Sequence, residues 1–196
     1  MKKVLFLMMA AVLLLGATSC SSCSGEKKQK EVIVEDVIKA DIDYMNNNYD
    51  SYVWYESSLI LNDYIDEESC DGSVASIEDI FQTGFMDTDA TEHLVVMIKH
   101  YGELMKVDTI SGAWLEDVVL YNDDIKITYK QAFERLMEAN CPKPHTKFCV
   151  LRNPLGPYSC NPQYIFGNWR DDYILFVDAT TGEVRDYNPA FKQPEE

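Results

Sequence analysis

Apolar residues recur along this chain at two spacings, one typical of helices and one typical of strands. From Glu31 to Asn47 the intervals are three and four residues, which predicts a first helix. A second helix is predicted from Thr128 to about Asn140, because Thr128 and Gln131 have the form of a capping box and an apolar stripe follows them. Strands are predicted in the apolar and aromatic segments 52–61, 94–98, 104–110, 148–151, 164–166, 173–177 and 184–187.

This order of elements predicts an α+β fold, in which helices pack on an antiparallel sheet. Residues 31–126 run through helix, strand and a hairpin around Gly102, and residues 127–190 repeat that order up to a hairpin around Gly182. The repetition predicts two copies of one unit, although a chance match of two short Gly-Glu turns would look the same. The tail 191–196 carries proline and charge and has little to bury.

The amino terminus has the features of an export signal. Two lysines precede the apolar run 4–15, which is well under the ~20 residues that cross a bilayer. Small residues then lead to Cys20, and this ending resembles the lipobox of bacterial lipoproteins. The resemblance implies removal of residues 1–19 and lipidation of Cys20 by acyl chains such as palmitate. Ala17 departs from the usual leucine, so Cys23 remains the alternative acceptor, and ordinary secretion with cleavage near Ala17 remains the alternative process.

Charge and composition limit the partners of the mature chain. Removal of residues 1–19 leaves 15 basic residues against 33 acidic ones, a formal charge of −18, which argues against nucleic acid. We therefore expect membrane attachment through the lipid alone, with residues 20–30 as a flexible stalk. Serines and lysines follow Cys20 instead of the acidic run associated with surface export in Bacteroidetes lipoproteins. This favours the outer membrane, facing the periplasm.

Four cysteines fall in the part of the chain that is expected to fold. Cys149 and Cys160 flank residues 153–157 symmetrically, so a hairpin through that turn would place them opposite each other and allow a disulfide in an oxidising compartment. Two reduced cysteines are the alternative. Cys70 and Cys141 are candidates for a second bridge, although spacing alone leaves all three pairings open.

The sequence contains no recognisable catalytic, cofactor or metal motif. The three histidines lie in unrelated segments, and the spacing from Cys141 through His145 to Cys149 is not that of a zinc site. We therefore expect a non-catalytic protein without a cofactor. Two alternatives remain: a hydrolase whose residues assemble only in space, and a glycan-binding surface built from exposed aromatic groups such as Trp54, Trp114 or Trp169.

The C-terminal half resembles PepSY domains. Residues 127–133, Ile-Thr-Tyr-Lys-Gln-Ala-Phe, are similar to their helix opening, and residues 173–184, which end in Asp-Ala-Thr-Thr-Gly-Glu-Val, are similar to their closing hairpin. Residues 31–121 match only in outline, and the segment 141–170 is an insertion. The resemblance implies a small module of secreted and membrane-associated bacterial proteins that inhibits or regulates peptidases, and it carries over no catalytic residue. The whole chain also resembles the small PepSY-like lipoproteins of Bacteroidetes. The leading hypothesis is thus a lipid-anchored envelope protein whose sheet or sheet edge binds another protein, with a peptidase as one candidate.

Overall fold

The helices and strands of the computed structural model follow the predicted alternation closely. The structure describes residues 32–84, 93–114, 118–154, 161–168 and 170–187. Within these ranges α1 spans Val34–Asn48 and α2 spans Tyr129–Glu138, and a short 3-10 helix covers Asn122–Asp124. The strands are β1 (Tyr52–Leu61), β2 (Val74–Thr83), β3 (Leu94–Tyr101), β4 (Leu104–Ser111), β5 (Phe148–Arg152), β6 (Gln163–Phe166), β7 (Ile174–Asp178) and β8 (Val184–Tyr187).

The described strands form one antiparallel sheet in the order β4-β3-β2-β1-β5-β6-β7-β8. At its centre β1 pairs with β5, with Leu59 opposite Cys149. Each half of the chain is one helix followed by four strands, and each set of strands runs outward from the centre to one edge. The predicted α+β architecture of helices on an antiparallel sheet is therefore confirmed.

The hydrophobic core lies between the two helices and one face of this sheet. Helix α1 contributes Val34, Ile38 and Met45 to the core, and α2 contributes residues that include Leu136. The strands contribute alternate residues such as Leu59, because successive side chains of a strand point to opposite faces. Burial of each large apolar side chain stabilises the fold by roughly 1.5–3 kcal/mol, so both helices are held on the same side of the sheet.

Gly72 brings the loop after β1 into close contact with α2. Its backbone has φ +75°, and its Cα lies so near the ring of Phe133 that an added Cβ would be 2.5 Å from Phe133 Cδ1. The hydroxyl of Tyr129 donates to the carbonyl oxygen of Gly72 at 2.9 Å. Glycine fits this position because it has no Cβ and because it adopts positive φ at little cost.

The residues that carry the PepSY resemblance have clear structural roles. Thr128 and Gln131 form the predicted capping box at the start of α2. At the β7–β8 turn, Asp178 Oδ1 accepts hydrogen bonds from the backbone N–H groups of Thr180 and Thr181, both at 2.8 Å, and Gly182 has φ +75°. The motif is thus a turn whose backbone donors are satisfied by its own aspartate.

Strand β2 has no counterpart among the predicted elements. Val74, Ile77 and Ile80 follow each other at intervals of three, which obscures the alternation of a strand. The irregular pattern has a cause in the tertiary structure. Asp79 occupies a core-facing position, and Ile80 and Gln82 on the other face of the strand are also buried. A strand buried on both faces lacks the simple alternation of apolar and polar residues.

Several predicted features of the chain ends lie outside the described residues. These are the signal 1–19, the lipid acceptor Cys20, the stalk 20–30 and the tail 191–196. Neither helix of the described part is long and apolar enough to span a bilayer.

Candidate functional site

A row of side chains crosses five neighbouring strands on the sheet face opposite the helices. From β4 to β5 it consists of Leu104, Tyr101, Ser76, Ile60 and Phe148, and it is called the Tyr101 row below. Adjacent strands lie about 4.8 Å apart, so the row extends over roughly 19 Å. Leu104 is 65% exposed, Tyr101 53% and Ile60 41%. The Tyr101 row is therefore an accessible, mainly apolar strip of the kind that marks a binding surface.

Ion pairs between strands lie on the same sheet face as the Tyr101 row. Lys99 of β3 is paired with Glu78 of β2, and this hydrogen bond raises the pKa of Lys99. Nearer the other end of the strands, Arg152 Nη1 of β5 lies 3.7 Å from Glu56 Oε2 of β1. In each pair the two charges offset each other, so these pairs add no net charge to this face of a strongly acidic chain.

An ordered aromatic side chain lies near the end of β1 and the start of β5. The ring of Tyr64 stacks on His145, with ring centroids 4.5 Å apart and planes 2° apart, and Lys147 Nζ lies 4.7 Å from the Tyr64 ring centroid. His145 Nδ1 in turn lies 2.9 Å from a carboxylate oxygen of Asp66. Stacking and cation–π contacts hold Tyr64 in one orientation, next to the strand end that supplies Ile60.

A buried polar cluster fixes α1 to the strands beneath the Tyr101 row. His100 Nε2 of β3 lies 2.7 Å and 2.9 Å from the two carboxylate oxygens of Asp41 on α1. Ser57 of β1 donates its hydroxyl hydrogen bond to Asp79 Oδ1 of β2, and Asp79 Oδ2 is buried without a hydrogen-bond partner among the described residues. His100 precedes Tyr101 in sequence, so the cluster also fixes the strand that presents Tyr101.

The pKa values of this cluster are shifted by burial. Burial raises the pKa of Asp41 from 3.8 to about 6 and raises the pKa of Asp79 well above its usual value. Burial also lowers the pKa of His100, an effect that the charge of Asp79 opposes. The neighbouring Asp41 carboxylate raises the pKa of Asp79 further, so burial and repulsion between the two acids both favour a proton on Asp79.

The cluster contains the residue types of a serine hydrolase but lacks the arrangement. The hydroxyl of Ser57 donates to Asp79 and not to His100, although a nucleophilic serine needs the histidine as its base. Ser57 and Asp79 are also fully buried, so a substrate has no path to the hydroxyl. Sequence patterns singled out none of these acids, although Asp41 lies on the apolar stripe of α1 between Ile38 and Met45.

The cysteines differ from the predicted pairing. Strands β5 and β6 pair as predicted, but their register places Phe166, six residues after Cys160, opposite Cys149. Cys149 is a buried free thiol, in contrast to the predicted disulfide, and burial raises its pKa. Cys160 lies outside the described residues. Cys70 and Cys141 are also free thiols, so the second bridge is not formed.

The tryptophans do not form an exposed aromatic platform in the described part of the chain. Trp54 is only 3% exposed and belongs to the core. Trp114 is partly buried, and its backbone N–H donates to Gln82 Oε1 at 2.8 Å. Trp169 lies outside the described residues. Among the described residues, Tyr101 is an aromatic group on the open sheet face that is 53% exposed, and composition alone did not single it out.

No protein-family model matches this sequence, and no curated protein matches it. A solved structure that is similar to it is the crystal structure of a "putative lipoprotein" from Clostridium difficile 630. The two chains share 14% sequence identity with a TM-score of 0.47, and the match covers 82% of this chain and 97% of the other. A likeness of this degree carries no argument about family or function.

Proposed function

We propose that this protein is a lipid-anchored, non-catalytic protein of the bacterial cell envelope that binds another protein through the Tyr101 row. The observation that carries the proposal is the exposure of Tyr101, Ile60 and Leu104 in one continuous row on an otherwise ordered sheet face. Apolar groups held on a rigid sheet lose little conformational freedom on binding, which favours association. A peptidase is the partner class that the PepSY resemblance implies.

The element order supports a finer form of the proposal, in which each half of the chain is one PepSY-like unit. Both halves consist of a helix followed by four strands, and the sheet order is symmetric about the pairing of β1 with β5. A duplicated unit joined in this way produces one wide sheet, and the sheet face opposite the helices is then available to a partner.

The anchor and its location belong to the proposal as well. The support is the signal-like segment 1–19 followed by Cys20, and the stalk composition of residues 20–30. We place the protein at the outer membrane, facing the periplasm, where a tethered binding domain would reach soluble and membrane-bound envelope proteins.

The test is capture of partners from mild-detergent extracts of the native envelope, with the full-length tagged protein as bait and mass spectrometry as the readout. Tyr101→Ser and Ile60→Ser change the row, and Tyr121→Ser is the matched control. Tyr121 is 64% exposed and follows Leu120, which pairs with Trp54 at the opposite end of β1. The wild type and the control are expected to enrich one envelope protein that both row variants lose.

Two results would refute the proposal. If the row variants retain the same partner as the wild type, binding does not use the Tyr101 row. If the purified protein hydrolyses peptide, ester or glycoside substrates and a single substitution abolishes that activity, the protein is an enzyme. Circular dichroism and thermal unfolding of each variant establish that a loss of binding is not a loss of folding.

A further inference from the structure

Strand β4 is an exposed edge of the described sheet. It pairs with β3 on one side, and the strand order begins with β4, so no described strand pairs with its other side. Leu104 and Ile110 are among the most exposed apolar residues of the chain, and Met105 between them is also exposed. A long, apolar edge strand with unpaired backbone groups is a template for pairing with another strand.

The pairing with β3 determines which backbone groups of β4 are free. Tyr101 and Leu104 flank the two-residue turn Gly102–Glu103, so they form a hydrogen-bonded pair, and hydrogen-bonded pairs then alternate with non-hydrogen-bonded pairs along the ladder. The backbone N–H of Gly112 donates to the carbonyl oxygen of His93 at 2.8 Å, which fits the same alternation. Even-numbered residues of β4 therefore bond to β3, and residues 105, 107 and 109 direct their N–H and C=O groups outward.

The side chains of β4 are self-complementary about its centre. On the face opposite the helices the order along the strand is Leu104, Lys106, Asp108 and Ile110, or apolar, basic, acidic and apolar. An antiparallel copy centred on Val107 would place Lys106 opposite Asp108 and Leu104 opposite Ile110. A shift of the centre by one residue would place lysine opposite lysine or aspartate opposite aspartate, which is unfavourable.

We propose that β4 binds β4 of a second copy of this chain, antiparallel and with a two-fold axis at Val107. The outward backbone groups of residues 105, 107 and 109 then pair with those of residues 109, 107 and 105 of the second copy. Within one copy Lys106 Nζ lies 2.7 Å from Asp108 Oδ2. In the dimer Lys106 of each copy faces Asp108 of the other at non-hydrogen-bonded positions, where side chains approach most closely. The dimer joins two sheets into one and does not depend on the proposed protein-binding function.

Charge reversal tests this pairing because the two positions face each other across the axis. Lys106→Asp creates aspartates opposite aspartates, and Asp108→Lys creates lysines opposite lysines, so each is expected to weaken dimerisation at least about tenfold. The double variant Lys106→Asp/Asp108→Lys restores opposite charges and is expected to dimerise like the wild type. An equal mixture of the two single variants is expected to form mixed dimers, since every pair is then complementary.

The measurement is the protein mass of the full-length chain in mild detergent, obtained by light scattering with absorbance and refractive index over a range of concentrations. Dimers of the wild type and the double variant, with monomers of both single variants, support the proposal. A monomeric wild type overturns it and leaves the edge free for a different chain. Equal dimerisation of all variants also overturns it, because the contact then lies elsewhere. Circular dichroism of the single variants checks that they fold, since Lys106 is exposed and Asp108 is half-buried.

Discussion

Replacement of Asp79 by asparagine should make the stability of this protein less sensitive to pH. Asp79 is fully buried and accepts a hydrogen bond from Ser57, and burial raises its pKa well above 3.8. An asparagine oxygen can accept the same hydrogen bond from Ser57, and its neutral NH2 group offers donors to the neighbouring Asp41 carboxyl group. The variant therefore keeps position 79 neutral at every pH, while Asp41 still titrates.

The sign and size of the effect follow from proton binding. A carboxyl group whose pKa is higher in the folded state than in the unfolded state keeps its proton only when folded, so its contribution to stability falls as pH rises above the unfolded value. Each such group lowers the free energy of unfolding by about 1.4 kcal/mol per pH unit until the folded pKa is reached. For Asp41, whose pKa rises from 3.8 to about 6, the total is about 3 kcal/mol.

In Asp79→Asn one of these two titrations is absent. The unfolding free energy of the variant minus that of the wild type should therefore increase with pH above about 4. The increase is up to about 1.4 kcal/mol per pH unit, for as long as Asp79 of the folded wild type keeps its proton. Urea unfolding followed by tryptophan fluorescence, at several pH values from about 4 to about 7, measures the difference. Asp123→Asn is the control, because Asp123 is exposed in the 3-10 helix.

A constant difference between Asp79→Asn and the wild type across this pH range would refute the reasoning. It would mean that Asp79 is ionised in the folded protein and that its partners, not a proton, compensate its burial. A loss of stability at every pH would show in addition that the asparagine amide cannot occupy the place of the carboxyl group beside Asp41.

Two further predictions concern the loop after β1 and the membrane anchor. Gly72→Ala should lower the free energy of unfolding by about 2–5 kcal/mol, because the new Cβ would overlap Phe133 at a position of positive φ. Gly102→Ala also has positive φ but open space around it, so it should lower the free energy of unfolding by only about 1–2 kcal/mol. Urea unfolding measures both, and equal losses would contradict the contact with Phe133. Cys20→Ser should move the protein from the membrane fraction to the soluble fraction and abolish palmitate labelling, whereas labelling lost only in Cys23→Ser would assign the anchor to Cys23.

Local patterns in the sequence predicted most of the elements. The periodicity of α1, the capping box of α2 and the turns at Gly102 and Gly182 depend on residues within a few positions of one another, so the sequence contains their full cause. The same holds for the signal-like amino terminus and for the acidic charge of the mature chain, which are properties of composition and order.

Only the tertiary structure decided which distant residues meet. Asp41 and His100 are 59 positions apart and come together because α1 packs on the sheet over β2, beside β3. The Tyr101 row exists because four strand pairings align residues from both halves of the chain. Strand β2 was not predicted because the acidic Asp79 stands at a core-facing position, where residues of other elements surround it. A sheet register is set by packing and by long-range backbone pairing, so the sequence alone did not show that Phe166 lies opposite Cys149. Helices and turns are local, whereas the buried cluster and the binding surface proposed here are products of strand order.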